Sequence, residues 1–215
     1  MQATTVFEAW KQALSQILKH GIDFTDENKR LCREVLNLSI EIDHPEIDAT
    51  RPIIVLNGFQ KWDYPGFDDI ARTVLDSNLA PEYSYSYGPR LFSFQQKKNQ
   101  INDFIIPLLK NTPDSRRAVL TLWDPLEDSN PLKRDMPGLV AIDFKLRNNR
   151  LNMTAVLRSN DMFFGWPANI YQMHVLQQYI AEKLGCRTGS ITTFSTSAHI
   201  FQDQFPYIKK ILKMA

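Results

Sequence analysis

The segment from Leu139 to Leu157 constrains the fold more than any other part of this chain. Leu139 to Leu146 and Leu151 to Leu157 are strand-like runs, and Asn148-Asn149 stands between them. Asparagine tolerates positive φ, and the tight turns that match strand twist need positive φ at both central positions. The pair therefore predicts a β-hairpin. Leu36, Leu38, Ile40 and Ile42 alternate with Asn37, Ser39 and Glu41, a further strand signal. Ala118 to Trp123 and the hydroxyl-rich run Ser190 to Ile200 also read as strands.

Helical spacing occurs elsewhere. Val6, Trp10, Ala13, Leu14, Ile17 and Leu18 share a face, and Gly21 follows as a stop. Phe67 to Leu75 reads as a helix, and so does Gln100 to Leu109, with Pro107 a kink or an early end. Pro167 starts another, with Tyr171, Val175, Leu176, Tyr179 and Ile180 on its apolar face and its end near Gly185. Phe205 to Met214 is a short amphipathic helix. Asp23 to Arg33, Gly58 to Gly66 and Asp124 to Pro137 read as loops, and Tyr83 to Gly88 as a loop or short strand. Pro45 and Pro52 bracket a connection, and Ile53 to Leu56 is a short apolar run. Strands and helices mix without strict βαβ alternation, which predicts the α+β class: a mixed sheet with flanking helices, in one domain spanning 1–215.

Hydrophobic residues make up 43% of the chain, enough for a core. The net charge of +1 points to neither a nucleic acid polymer nor a membrane surface as partner. Cys32 and Cys186 form no CxxC pair, which fits a reducing compartment. No apolar run reaches membrane-spanning length, and Glu8, Lys11 and Lys19 interrupt any signal-peptide core. A cytoplasmic location is expected. His20, His44, His174 and His199 are scattered, so no metal site is expected.

Anion recognition must then rest on local clusters. Ser115-Arg116-Arg117 precedes a strand and Arg158-Ser159 follows one. A guanidinium fork beside a hydroxyl suits a phosphate, although for either cluster alone a solvated strand end is the better reading. Asp161 and Asn169 are polar residues in the apolar stretch after Arg158. Asn169 either meets the edge of a uracil ring, donating and accepting at once, or caps the helix near Pro167. Gly165 leaves room for a flat ligand or a tight turn. His199 is a structural histidine or a ligand contact.

The order of these segments resembles the thymidylate synthases, the shorter archaeal-type members most closely. Trp10 to Gly21, Arg33 to Leu38, Tyr87-Gly88, Ser115 to Ala118, Leu122 to Pro125, Ile142 to Phe144, Arg158 to Asp161, Trp166 to Ile170 and Ser197 to Ile200 carry the likeness across most of the chain. The resemblance implies a homodimer formed through sheet faces and a pyrimidine nucleoside monophosphate as ligand. Arg158 and Ser159 would hold the phosphate, with Arg116 and Arg117 of the partner. Asn169 would read the base, His199 the sugar, and Asp161 with Gly165 would serve a tetrahydrofolate one-carbon donor.

The departures from the family are equally specific. Its catalytic cysteine follows a proline before the hairpin strand; here Pro137 is followed by Gly138. Its tyrosine after the sugar histidine is Phe201. Its glutamate has no counterpart, since Gly58 to Gly66 offers only Gln60 and Asp63. Its amino-terminal phosphate arginine is either Arg30 or Arg33. A thiolate adding at C6 makes C5 of uracil nucleophilic, and glycine cannot do this. Three readings follow: a divergent one-carbon transferase acting on a ring already electron-rich at C5, a non-catalytic nucleotide-binding or regulatory protein, or a family enzyme whose cysteine was exchanged. The missing glutamate and tyrosine argue against the third.

Overall fold

The computed structural model describes residues 1–78 and 85–215. The Tyr83-Ser84 part of the aromatic run lies outside the described residues. In chain order the strands are β1 (Gln2–Ala3), β2 (Ile22–Thr25), β3 (Leu31–Ile42), β4 (Val119–Thr121), β5 (Leu139–Arg147), β6 (Arg150–Leu157), β7 (Asn160–Asp161) and β8 (Arg187–Phe201). The α-helices are α1 (Val6–His20), α2 (Arg51–Gly58), α3 (Phe67–Leu75), α4 (Tyr87–Phe92), α5 (Ile106–Asn111), α6 (Pro125–Asp128), α7 (Gly165–Leu184) and α8 (Phe205–Ile211). The strands form one mixed sheet in the order β1-β3-β8-β6-β5-β4, with β2 on β3 and β7 on β8. β6 and β7 run parallel to β8, whereas β3 is antiparallel to it. This is the expected α+β arrangement.

The hairpin forms as its turn residues require. Asn148 and Asn149 have φ of 51° and 57°, the paired left-handed geometry of a tight β-turn. Leu146 then faces Leu151, and Leu139 faces Leu157 at the far end. β8 slots between β3 and β6, making it the central long strand.

Helix α1 starts where Thr5 accepts from the Glu8 amide and Glu8 reaches back to the Thr4 amide, a variant of the capping box. Asp48 accepts from the amides of Val6 and Phe7. Trp10, Ala13, Leu14 and Ile17 are then wholly buried, and Gly21 closes the helix through its N–H to the Ile17 carbonyl. Helix α7 is buried along most of its length and ends at Gly185 in the left-handed region, φ 67°. Its Trp166 donates from Nε1 to Thr193 Oγ1 of β8 at 3.1 Å. Each such large side chain, fully withdrawn from water, contributes about 1.5–3 kcal/mol.

Five sequence expectations change. Asp23 to Arg33 is not a loop: it holds most of β2 and the start of β3, and β2 is exposed throughout, so it carries no alternation signal. Ile53 to Leu56 lies inside α2, with Pro52 in its first turn. Asp124 to Pro137 includes α6, which Asp124 caps by accepting from the Leu126 amide. Tyr87-Gly88 opens α4 rather than continuing a loop or strand. Pro107 sits at the start of α5, after a π-helical turn over Ile101–Ile105.

Candidate active site

Residues 138 and 158 meet at the open end of the β5–β6 ladder. Pairing of Leu139 with Leu157 brings their outer neighbours together, and the Arg158 N–H donates to the Gly138 carbonyl at 2.8 Å. A register shift between Leu139 and Ala141 marks a bulge at this end, a device that re-aims side chains beside sites. The Arg158 guanidinium folds over the same corner. Nε donates to the Pro137 carbonyl at 2.9 Å and Nη2 to the Met136 carbonyl at 3.0 Å. Among the described residues it has no ion-pair partner. A tethered, unpaired guanidinium is preorganised for an anion.

Gly138 is partly buried and its φ is not left-handed, so the backbone does not require glycine here. A Cβ placed on it would stand 3.2 Å from the Ser159 carbonyl oxygen and 3.8 Å from the Tyr87 hydroxyl. Tyr85 completes the corner. Burial pushes its phenol pKa up, while the Arg158 charge and the Gly138 backbone pull it down. Burial raises the Tyr87 phenol as well, and the Tyr85 phenol adds to the rise. Both stay protonated donors at neutral pH. Tyr85 and Tyr87 were given no role from the sequence, although the repeated tyrosines before Gly-Pro were visible there.

Asp161 and His199 are cross-strand partners in the β7–β8 pair. Asp161 Oδ1 accepts from the amides of Phe163 at 2.9 Å and Phe164 at 3.1 Å, so Asp161, not Asn169, ties down the residues leading into α7. Gln204 Nε2 donates to Oδ2 at 3.5 Å. Burial raises the Asp161 pKa, and the Phe164 amide and the His199 ring oppose the rise. The His199 Nδ1 is buried without a hydrogen-bond partner, and its ring lies edge-on to Phe201 at 5.3 Å. Asn169 sits inside α7 and donates to Asn160 Oδ1 at 3.3 Å; Asn160, nearly fully buried, donates in turn to Ser195 Oγ at 3.1 Å. Asn160 was overlooked from sequence because it stood inside a motif read for its neighbours. Gly165 is the first residue of α7 rather than a tight turn, and a Cβ there would touch Asp161 Cβ at 3.6 Å.

The loop after α2 adds an aromatic wall to this end of α7. Tyr64 donates to the Phe164 carbonyl at 2.7 Å, and Trp62 packs edge-on against Phe163 and Phe164. Gln60 and Asp63 are both exposed.

Other candidates separate. Arg33 is committed to Asp23 through two bonds of 2.6 and 2.9 Å. Arg30 instead lies 3.3 Å over the Phe201 ring and 3.7 Å from Asp203 Oδ1. Cys32 is the cross-strand partner of Phe201, but it is buried and its thiol pKa is raised by burial and by Asp26. Cys186 lies at the turn end of the hairpin, where its neighbour Arg187 donates to the Asn149 carbonyl, and burial raises its pKa too. Neither thiol can serve at Gly138. Arg116 and Arg117 are exposed just before β4, whose Val119 pairs with Asp143. Asp143 is five residues along β5 from Gly138, about 17 Å at 3.3 Å per residue. Within one protomer these arginines are not brought to Arg158. Among the described residues no cluster of His, Cys, Asp or Glu could hold a metal ion, and no helix is long and apolar enough to cross a membrane.

The family model described as thymidylate synthase matches residues 49–215. A Methanosarcina barkeri protein named "Putative thymidylate synthase" is 32% identical over 213 residues, covering 99% of this chain and 94% of that protein. Proteins of the same name from Methanococcoides burtonii and Methanocaldococcus jannaschii are 32% and 31% identical, covering 99% and 96% of this chain and 94% and 92% of theirs. The chain belongs to the thymidylate synthase family.

Proposed function

We propose that the chain binds a pyrimidine nucleoside 5′-monophosphate at the Gly138–Arg158 corner and transfers a one-carbon group to its C5 without a cysteine nucleophile. The observation that carries this reading is the Arg158 guanidinium, tethered to the carbonyls of Met136 and Pro137 beside a position with no side chain. Phosphate would lie on Arg158 and Ser159, with Arg30 as the amino-terminal phosphate arginine, the base against Asn169, and the sugar against His199. A tetrahydrofolate held by Asp161 and the Trp62–Tyr64 wall would supply the one-carbon unit. C5 activation must come from outside this chain's side chains, because both thiols are withheld.

The active unit is a homodimer in this reading. Leu36 of β3 is 63% exposed, an apolar side chain on a sheet face that a second sheet would cover. A two-fold partner would also bring its Arg116 and Arg117 to the phosphate, which one protomer alone does not. A non-catalytic nucleotide-binding role is the second reading. It is favoured by the exposure of Gln60 and Asp63, which leaves no acid from that loop in the cleft.

Calorimetry with uridine, UMP and dUMP tests the site. The monophosphates should bind and the nucleoside should bind at least about tenfold more weakly, given 1.5–3 kcal/mol per hydrogen bond to a charged group. Equal affinities would refute the phosphate assignment. A monomeric mass in light scattering at micromolar concentration would refute the dimer.

A further inference from the structure

We propose that the turn end of the β5–β6 hairpin is a second anion site, built to hold the phosphate chain of a di- or triphosphate. Its core is a row of three arginines. The Asn148-Asn149 turn sets Arg147 directly opposite Arg150, and the parallel pairing of β6 with β8 sets Arg150 opposite Arg187. Residues paired in this way project from the same face of a sheet, so three guanidinium stems stand side by side on three adjacent strands. The row is remote from the nucleotide corner. Arg150 and Arg158 are eight residues apart along the chain, about 26 Å at 3.3 Å per residue.

Three observations point to an anion. First, the row costs stability as it stands, because like charges directly opposite each other across strands repel. Second, the protein does not neutralise it. Among the described residues, the guanidinium groups of Arg150 and Arg187 have no ion pair and no hydrogen bond. Arg147 donates to the carbonyls of Leu146 and Asp114 and reaches the Asp114 carboxylate only at 4.0 Å, where that carboxylate is almost wholly exposed. Glu46 feels the Arg150 charge but is bonded to His44 Nδ1 at 3.0 Å instead. Third, there is room. Arg147 and Arg150 line a cavity of about 370 Å³ together with His44, Asn152 and Ser190. Asp43 is the carboxylate on its wall, and Gln2 donates to both of its oxygens at 3.3 Å.

The spacing selects the ligand class. Neighbouring strands lie about 4.8 Å apart, so the row runs about 10 Å between its outer Cα positions. A single phosphate takes one or two guanidinium forks, whereas three forks in line match the successive phosphates of a chain. The cavity sits at the small end of the roughly 300–1,000 Å³ that ligand sites occupy, and the net charge of +1 gives no broad positive field. Both favour a small polyanion over a nucleic acid polymer. Inorganic tripolyphosphate and a nucleoside triphosphate share the required chemistry. Once bound, the chain of phosphates cross-braces β5, β6 and β8 at this end of the sheet and removes the repulsion along the row.

Calorimetry of the full chain with orthophosphate, tripolyphosphate, dTTP and ATP at low salt is the test. Tripolyphosphate should bind at least about tenfold more tightly than orthophosphate, since each further charge-assisted hydrogen bond is worth about tenfold or more. Arg150→Ala with Arg187→Ala should weaken tripolyphosphate about 100-fold, and Arg158→Ala should leave it unchanged. Tripolyphosphate should raise the melting temperature of the native chain and not that of the double variant. The ligand-free double variant should melt at or above the native temperature, which shows that it folds. Tighter binding of dTTP or ATP than of tripolyphosphate supports a nucleotide as the source, and equal affinity supports the phosphate chain alone. Equal affinities for orthophosphate and tripolyphosphate would overturn the proposal. So would binding that survives in the double variant or is lost in Arg158→Ala. A single-stranded RNA that binds more tightly than any triphosphate through the same arginines would overturn it as well, by marking a polymer surface instead.

Discussion

Asp128 offers the sharpest link between stability and the candidate site. Its carboxylate is fully buried and accepts from Arg90 Nη2 at 2.9 Å, from Lys133 at 2.9 Å and from the Asp124 amide at 2.9 Å. Arg90 also donates to the Leu122 carbonyl. The cluster therefore clamps α4, which carries Tyr87, to the segment that runs from β4 to Gly138. Burial opposes the charged form, but the bonds from Arg90, Asp124 and Lys133 outweigh it and hold the pKa at about 2, against an ordinary 3.8. At 1.36 kcal/mol per pH unit the difference is worth about 2 kcal/mol. Because the folded value is depressed, this stability is present in full above pH 3.8 and is lost as pH falls through the folded pKa near 2.

Asp128→Asn removes the charge and keeps the shape. It leaves the largely buried Arg90 with Glu127 at 3.8 Å as its remaining carboxylate. Breaking a buried pair from one side costs about 3–5 kcal/mol, and the partial exposure of Lys133 brings the expected loss nearer 2–4. Urea unfolding followed by far-UV circular dichroism should show that loss at pH 7. The difference between variant and native should shrink as pH falls through 3.8 toward 2. A loss below about 0.5 kcal/mol at pH 7, the scatter of ordinary surface changes, would refute the clamp. So would a difference that does not change with pH.

Four more outcomes are expected. Gly138→Cys should form a covalent complex with a fluorinated dUMP and methylenetetrahydrofolate, seen by denaturing mass spectrometry, and the native chain should not; an adduct on the native chain would show another nucleophile. Arg116→Ala with Arg117→Ala should weaken monophosphate binding by about 1.5–3 kcal/mol in calorimetry without changing the nucleoside's affinity, and no change would remove these residues from the site. Thr193→Val should strand the buried Trp166 N–H and cost about 1–3 kcal/mol in urea unfolding. Burial holds the His174 pKa below the ordinary 6.5, with Glu46 pulling the other way. The unfolded chain therefore binds more protons below that pH: stability is full above 6.5 and drops as pH falls through it toward the folded value. His174→Leu should flatten that part of the pH–stability curve.

What could be read from the sequence was local. The hairpin was legible because Asn148 and Asn149 alone set the turn. The end of α7 was legible because Gly185 alone adopts the left-handed cap. The motif residues Arg158, Asp161 and His199 were legible as chemistry, and the sheet then explains why they meet: Leu157 ends β6 opposite Leu139, and Asp161 pairs with His199. The rest depended on partners distant in sequence. β2 was missed because an edge strand exposed on both faces needs no apolar alternation. Leu36 fits the alternation of β3 yet is exposed, since Asn37 at φ 58° interrupts the regular strand conformation beside it.

The same distinction bears on function. A sequence shows which groups are absent, as with the side chain at Gly138, but not whether the fold has closed over the loss. Here it has in part: the Ser159 carbonyl oxygen stands 3.2 Å from where a Cβ would lie, closer than an ordinary contact, while Arg158 remains anchored over the corner. Close-packed interiors relax around small vacancies only in part, so unfilled space can persist wherever a side chain is lost. In the reading proposed above, the partly buried Gly138, beside an unpaired guanidinium and two tyrosines, belongs to the nucleotide site.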